Sequence, residues 1–182
     1  FPHAWGGVKG FFSAMFMRNV IFRYFHFLCA SMAITGLFLF WYMKRKAYEF
    51  EEKVPGLSRS KALKMFYSLA LGASLLQLVL GPLNLFTLPW DYVDWNFAAM
   101  IIIGATFALF AMHMIWKELK GPEENLGRRF YPIAAILTIT VVFMGAGRQI
   151  YRATALAPHE KAVEERTTQA APPSPVPQTK LT

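Results

Sequence analysis

The sequence predicts an all-α fold, a transmembrane four-helix bundle, on three observations. Of its 182 residues, 55% are hydrophobic and only 16% charged, against about a quarter charged in a soluble domain. The apolar residues gather into four blocks, each near the roughly 20 residues that span a hydrocarbon core about 30 Å thick. The basic residues stand between the blocks, on alternate connections, as the charge rule for polytopic membrane proteins requires. Intrinsic disorder and a disulfide-stapled secreted module are excluded, the single cysteine, Cys29, lying inside an apolar block. A net charge of +8 would suggest nucleic acid in a soluble chain. Here the grouping of the basic residues between spans accounts for it, and no nucleic-acid partner is expected.

Residues 1–18 are expected to form an external segment ahead of the bundle. Phe1 stands where a Met would open a chain, which is read as an N-terminal piece removed or lying before it; nothing here resembles a signal peptide. Residues 19–152 form the membrane bundle, with spans at 19–43, 65–86, 97–116 and 130–151. Each span is a helix, because a backbone in lipid must satisfy its own hydrogen bonds, and the period-two alternation of a barrel is absent. The first connection carries Lys44, Arg45, Lys46, Lys53, Arg59, Lys61 and Lys64, and the third carries Lys117, Lys120, Arg128 and Arg129. The second, residues 87–96, has no basic residue and holds Asp91 and Asp94. That asymmetry places the first and third connections in the cytoplasm and both termini outside, in a bacterial inner membrane.

Trp90 and Trp95 in the outer connection read as an interfacial aromatic belt that anchors to lipid headgroups. Pro82, near the end of the second span, is expected to bend or loosen that helix. Residues 153–182 change character: they are polar and hold Pro158, Pro172, Pro173, Pro175 and Pro177. With no periodic apolar face, this Pro-rich tail is expected to be extended and to order only against a partner subunit outside the membrane.

Ionisable side chains within a span cost at least about 2.5 kcal/mol at the bilayer centre, so each needs a reason. Arg23 and His26 lie in the first span, His26 seven residues past Asn19 and so about 10 Å below the outer end. Cys29, Ala30, Ala33 and Gly36 follow His26 at helical spacing. This stripe of small residues has two readings, close helix–helix packing or room for a flat macrocycle beside an axial histidine. In the third span, Met100 lies about 6 Å below the same surface, with Gly104 and Ala108 following on its face. A histidine nitrogen and a thioether sulfur form an axial pair for haem iron, whereas a methionine alone is core filler. His113 lies about 20 Å below Met100, where no second histidine can join it, and is read as interfacial or on a proton route. His3 and His159 fall outside the membrane. Arg148 and Arg152, at the outer end of the fourth span, either snorkel to headgroups or pair with haem propionates. No HExxH, CxxC, Walker-type or Gly-x-Ser-x-Gly pattern is present, and no carboxylate is expected within a span.

Arg23-Tyr24-Phe25-His26, followed by Ala30-Ser31 and Thr35-Gly36, resembles the start of the fifth helix of cytochrome bd quinol oxidase subunit I. Phe97-Ala98-Ala99-Met100 resembles that family's Phe-Arg-x-Met stretch, and Gly147-Arg148-Gln149 its Gly-Arg-Gln. The three motifs come in the family's order and cover roughly residues 13–152, about the C-terminal half of that subunit. The resemblance implies that His26 and Met100 ligate one haem b, the group that takes electrons from quinol in the family. Three departures stand beside it. The family's glutamate two positions before Gly-Arg-Gln is Gly145 here, its tryptophan a turn earlier is Val141, and the arginine of Phe-Arg-x-Met is Ala98. Arg23 or Arg148 could take over the contact that Ala98 lacks. The family's long external quinol-binding loop is reduced to residues 87–96, and its first four helices have no counterpart in this chain. The oxygen-reducing centre is therefore not expected here.

These readings lead to a membrane-embedded haem b electron-transfer subunit of a respiratory complex. It would pass electrons between the quinone pool and a periplasmic partner, either a c-type cytochrome or a metalloenzyme. The expected cofactor-binding residues are His26 and Met100 at the metal, with Arg23, Arg148, Gly104 and Ala30 around it. A quinone site would be formed by the outer helix ends, the tryptophan belt or a neighbouring subunit. The methionine ligand would raise the redox potential relative to two histidines. Two other readings remain open: a haem-free membrane anchor or scaffold, and half of a split quinol oxidase.

Overall fold

The computed structural model describes residues 8–16, 18–45 and 49–170. Among them are six α-helices: α1 (Val8–Met15), α2 (Arg18–Lys44), α3 (Phe50–Lys53), α4 (Arg59–Leu85), α5 (Trp95–Lys120) and α6 (Phe130–Ala170). Short 3-10 turns, Trp90–Tyr92 and Glu123–Asn125, precede α5 and α6. The four long helices are apolar enough and long enough to cross a membrane, with mean hydropathies of 1.5, 1.6, 2.1 and 1.9. An all-α bundle with the signature of a multi-pass membrane protein is therefore what the chain forms. Large apolar side chains exposed along α2, α4, α5 and α6 would be costly in water but suit a lipid-facing surface.

α2 packs chiefly along α4 and α5 along α6, and α4 and α5 join the two pairs. Partners run antiparallel: Asn19 near the start of α2 meets Thr87 just past the end of α4, and Phe97 at the start of α5 meets Tyr151 of α6. All four long helices converge at one end, the basic end. There Phe40 of α2 is fully buried, stacked on Tyr67 of α4 at 4.0 Å and on Phe130 of α6 at 5.5 Å between centroids. Ile115 of α5, Ile133 of α6 and Leu63 and Leu71 of α4 complete this core.

The α5–α6 turn closes over that core by specific polar contacts. Glu118, buried in the last turn of α5, accepts the backbone N–H groups of Gly127 at 2.8 Å and Arg129 at 2.6 Å. These donors lie just ahead of α6, where a helix start leaves N–H groups without partners. Lys44 of α2 donates to the Gly127 carbonyl, tying the first span to the same turn. Gly127 has φ +74, and a Cβ there would meet the Phe40 ring at 2.5 Å, so backbone conformation and space both require glycine.

Three expectations are corrected. The chain is not extended from Ala153: α6 continues to Ala170. Ala, Leu, Glu, Lys and Arg dominate this stretch and are strong helix formers. A helix already nucleated in the span extends at one hydrogen bond per residue with no new nucleus. Pro158 is carried within it. From Leu156 to Gln169 the side chains are exposed, so the extension stands clear of the bundle. Second, α5 runs four residues past 116, which puts the Glu118 carboxylate in the helix after all, held by backbone donors rather than by a cation. Third, α4 begins at Arg59, six residues before the expected start, so Arg59, Lys61 and Lys64 are helical. The tail beyond residue 170, His3 and Lys46 lie outside the described residues.

Candidate functional site

The end of the bundle opposite the aromatic core carries a polar collar. Asn19, Arg23 and His26 are spaced i, i+4, i+7 and share one face of α2. The Asn19 amide donates to Thr87 at 2.7 Å and to Asn84 at 3.4 Å. Its carbonyl oxygen accepts from the Arg23 guanidinium at 2.6 Å, and the Thr87 hydroxyl donates to the Asn84 carbonyl at 2.6 Å. Arg23 also lies within electrostatic range of Tyr151 on α6, as does Tyr92 in the turn ahead of α5. The collar thus ties α2 to the end of α4 and reaches toward α6.

His26 lies beneath this collar, partly buried. Its Cε1 is 3.8 Å from where a Cβ on Gly81 of α4 would stand. Its Nδ1 is buried and has no hydrogen-bond partner among the described residues. Below it the small-residue stripe serves helix packing: Cys29 and Ala33 are buried, and a Cβ on Gly36 would be 2.8 Å from the Phe66 carbonyl of α4. Ala30 is half-buried on the same helix.

Met100 belongs to the other helix pair. It is half-buried, and its Cβ lies 3.3 Å from a Cβ position on Gly147 of α6. Gly104, one turn on, backs onto Met144 and Phe143 of α6, with contacts of 3.2–3.3 Å from its Cβ position. The structure therefore brings the Met100 and Gly147-Arg148-Gln149 motifs together, with Arg148 exposed beside them. His26 stands against α4, so the two sulfur- and nitrogen-bearing side chains sit on different helix pairs. The structure does not bring His26 and Met100 into contact: each packs against the partner helix of its own pair.

Val141 is exposed, and nothing lies within 4 Å of a Cβ on Gly145, so this face of α6 is turned away from the other helices. Among the described residues no group of three or more His, Cys, Asp or Glu could hold a metal ion. His113 is exposed on α5 beside Trp116, and His159 is exposed on the α6 extension.

The sequence reading used Asn19 only as a span boundary and missed Asn84, Thr87 and Glu118. Asn84 had a signal: an amide two residues after Pro82 in an apolar helix is costly in lipid without a partner. Asp94 was read as charge alone, yet it caps α5, accepting the Phe97 N–H at 2.7 Å, a role that Asp before an apolar run announces. No protein family, curated protein or solved structure is significantly similar to this chain.

Proposed function

We propose that this chain is a membrane-embedded haem b electron-transfer subunit of a respiratory complex, similar to the C-terminal half of cytochrome bd quinol oxidase subunit I. The observation that supports it is the His26 imidazole, set in an apolar helix with a buried nitrogen that no described side chain or backbone group satisfies. Leaving such a group unpaired costs about 1–3 kcal/mol, and an iron ligated at the ring would offset that cost. His26 and Met100 would hold the iron, and Arg23 and Arg148 would meet the propionates as charge-assisted partners. A bound haem would supply one-electron redox chemistry, whereas the protein supplies ligation, position and a low-dielectric surround.

On this reading the basic end faces the cytoplasm and the collar faces the periplasm. Electrons then pass between the quinone pool and a periplasmic c-type cytochrome or metalloenzyme. Trp90 and Trp95, which are 55% and 81% exposed, border the outer surface where quinone would approach. The α6 extension, about 27 Å from Arg152 to Ala170 at helical rise, offers a partner subunit a surface beyond the membrane.

A haem-free scaffold is the second reading, favoured by one finding: Gly36, Gly104 and Gly147 are all used for helix–helix contact. Pyridine haemochrome analysis of the purified complex separates the two. His26→Ala should lose the haem b band, with external imidazole restoring it in His26→Gly. Full haem content in His26→Ala overturns the assignment.

A further inference from the structure

Toward the basic end, α4 and α5 leave a groove of about 360 Å³ lined by Leu71, Leu75, Leu109, Met112, His113 and Trp116. Leu71 and Met112 are buried and make its floor, and Leu75, Leu109 and Trp116, each about half exposed, make its rim. Along α5 it runs from Trp116, one turn short of Lys120, to Leu109, about 16 Å from that end by helical rise. The slot thus begins at the membrane surface and stops near mid-bilayer. At its mouth the Lys120 ammonium sits 4.9 Å from the centre of the Trp116 ring, a cation–π contact that holds the charge over the opening. Lys117 stands in the same last turn.

We infer that this groove binds an anionic phospholipid, one acyl chain lying between Leu75 and Leu109 and the phosphate meeting Lys120 and Lys117. The apolar walls are open to the bilayer along their length, so a chain can enter sideways without a folded cavity. The volume is at the small end for ligand pockets and suits a stretch of hydrocarbon with the remainder in the membrane. Charge selects the headgroup: basic sites between transmembrane helices recognise anionic lipid heads.

The test uses the full-length chain in neutral detergent and bromine-labelled acyl chains, which quench nearby indoles. Phosphatidylglycerol and phosphatidylcholine with the same brominated chains are titrated. The Trp116 share of the signal is the difference between the native chain and Trp116→Phe. Phosphatidylglycerol should quench that share at a concentration lower than that of phosphatidylcholine by at least about fivefold, the preference expected from one of the two surface lysines. Lys120→Gln should narrow the gap, Lys120→Arg should keep it, and Lys120→Gln with Lys117→Gln should bring the two lipids to parity. Leu109→Phe, which fills the slot while keeping the charge, should weaken quenching by both lipids. Equal quenching by the two lipids in the native chain overturns the inference. So does a preference that survives Lys120→Gln and Lys117→Gln together, or displacement by a long-chain quinone but not by unlabelled phosphatidylglycerol. Far-ultraviolet dichroism of each variant confirms that the bundle is intact, and the outcome is independent of whether haem binds.

Discussion

His26 of α2 rests against Gly81 of α4, its Cε1 3.8 Å from the position that a Cβ on the glycine would take. A Cβ at 81 would make only an ordinary van der Waals contact with the imidazole, whereas a side chain as large as leucine would compete for the ring's space. Gly81→Leu should therefore displace the ring, and on the haem reading it should lower the haem-to-protein ratio severalfold. Gly72→Leu on the same helix is the control, since nothing lies within 4 Å of a Cβ there. Haem content falling equally in both variants would mean that the effect is not transmitted through His26.

Glu118 at the other end is predicted to act on stability alone. Its two carboxylate oxygens satisfy the N–H groups of Gly127 and Arg129. Glu118→Ala strands the Gly127 donor in a buried place, at roughly 1–3 kcal/mol, and the Arg129 donor in a part-buried one, at less. The expected result is a marked drop in the thermal midpoint in detergent. Glu118→Gln, which keeps one acceptor oxygen, should fall between the two. Haem content at temperatures where the variant is still folded should be unchanged, which separates this role from that of His26.

The fold was legible because lipid simplifies the rules. Length and apolarity alone identify a spanning helix, and all four spans lie where those two properties put them. What the sequence hid was polar satisfaction. Glu118 follows Lys117 and precedes Lys120, so it reads as part of a charged connection. Its burial depends on a turn, residues 121–129, folding back to offer two N–H groups. The α6 extension was hidden for a different reason. Pro158 and a polar composition argue against an independent helix, but the extension grows from a span that is already formed. At the candidate site, the small-residue stripe after His26 allowed two readings. The approach of Gly36 to the Phe66 carbonyl shows that at least its lower part serves packing. Separating those readings needed the partner helix, which no pattern within α2 could supply.

The Lys64–Glu123 pair gives the protein an acid-sensitive contact. The two are 2.6 Å apart. Hydrogen bonding from Lys64, then from Ser60, with the Lys64 charge, holds the Glu123 carboxyl below its ordinary value. A lowered folded-state pKa means that the pair's contribution is present above the unfolded value and is lost as pH falls through the folded one. Native protein and Glu123→Gln should therefore differ in thermal midpoint near about pH 7, and the difference should fade as pH drops below the ordinary carboxylate value and through the lowered folded one. Glu123 is exposed, so the difference should be small and should shrink further in high salt. A gap that widens on acidification would contradict the pairing.

The proposed orientation has a direct chemical readout. The native cysteine is buried, Cys29 being 6% exposed, so an introduced thiol can be read against a low background. Thr167 on the α6 extension and Asn125 in the α5–α6 turn are both exposed and belong to opposite ends of the bundle. If the basic connections face the cytoplasm, a membrane-impermeant maleimide should label Thr167→Cys in spheroplasts without permeabilisation. Asn125→Cys should react only after the membrane is opened. The reverse pattern would put Lys117, Lys120, Arg128 and Arg129 outside, against the charge rule, and His26 beneath the cytoplasmic face. Electron exchange would then have to occur with a cytoplasmic partner. The labelling experiment thus decides which compartment is searched for the redox partner, whether or not the iron ligands are confirmed.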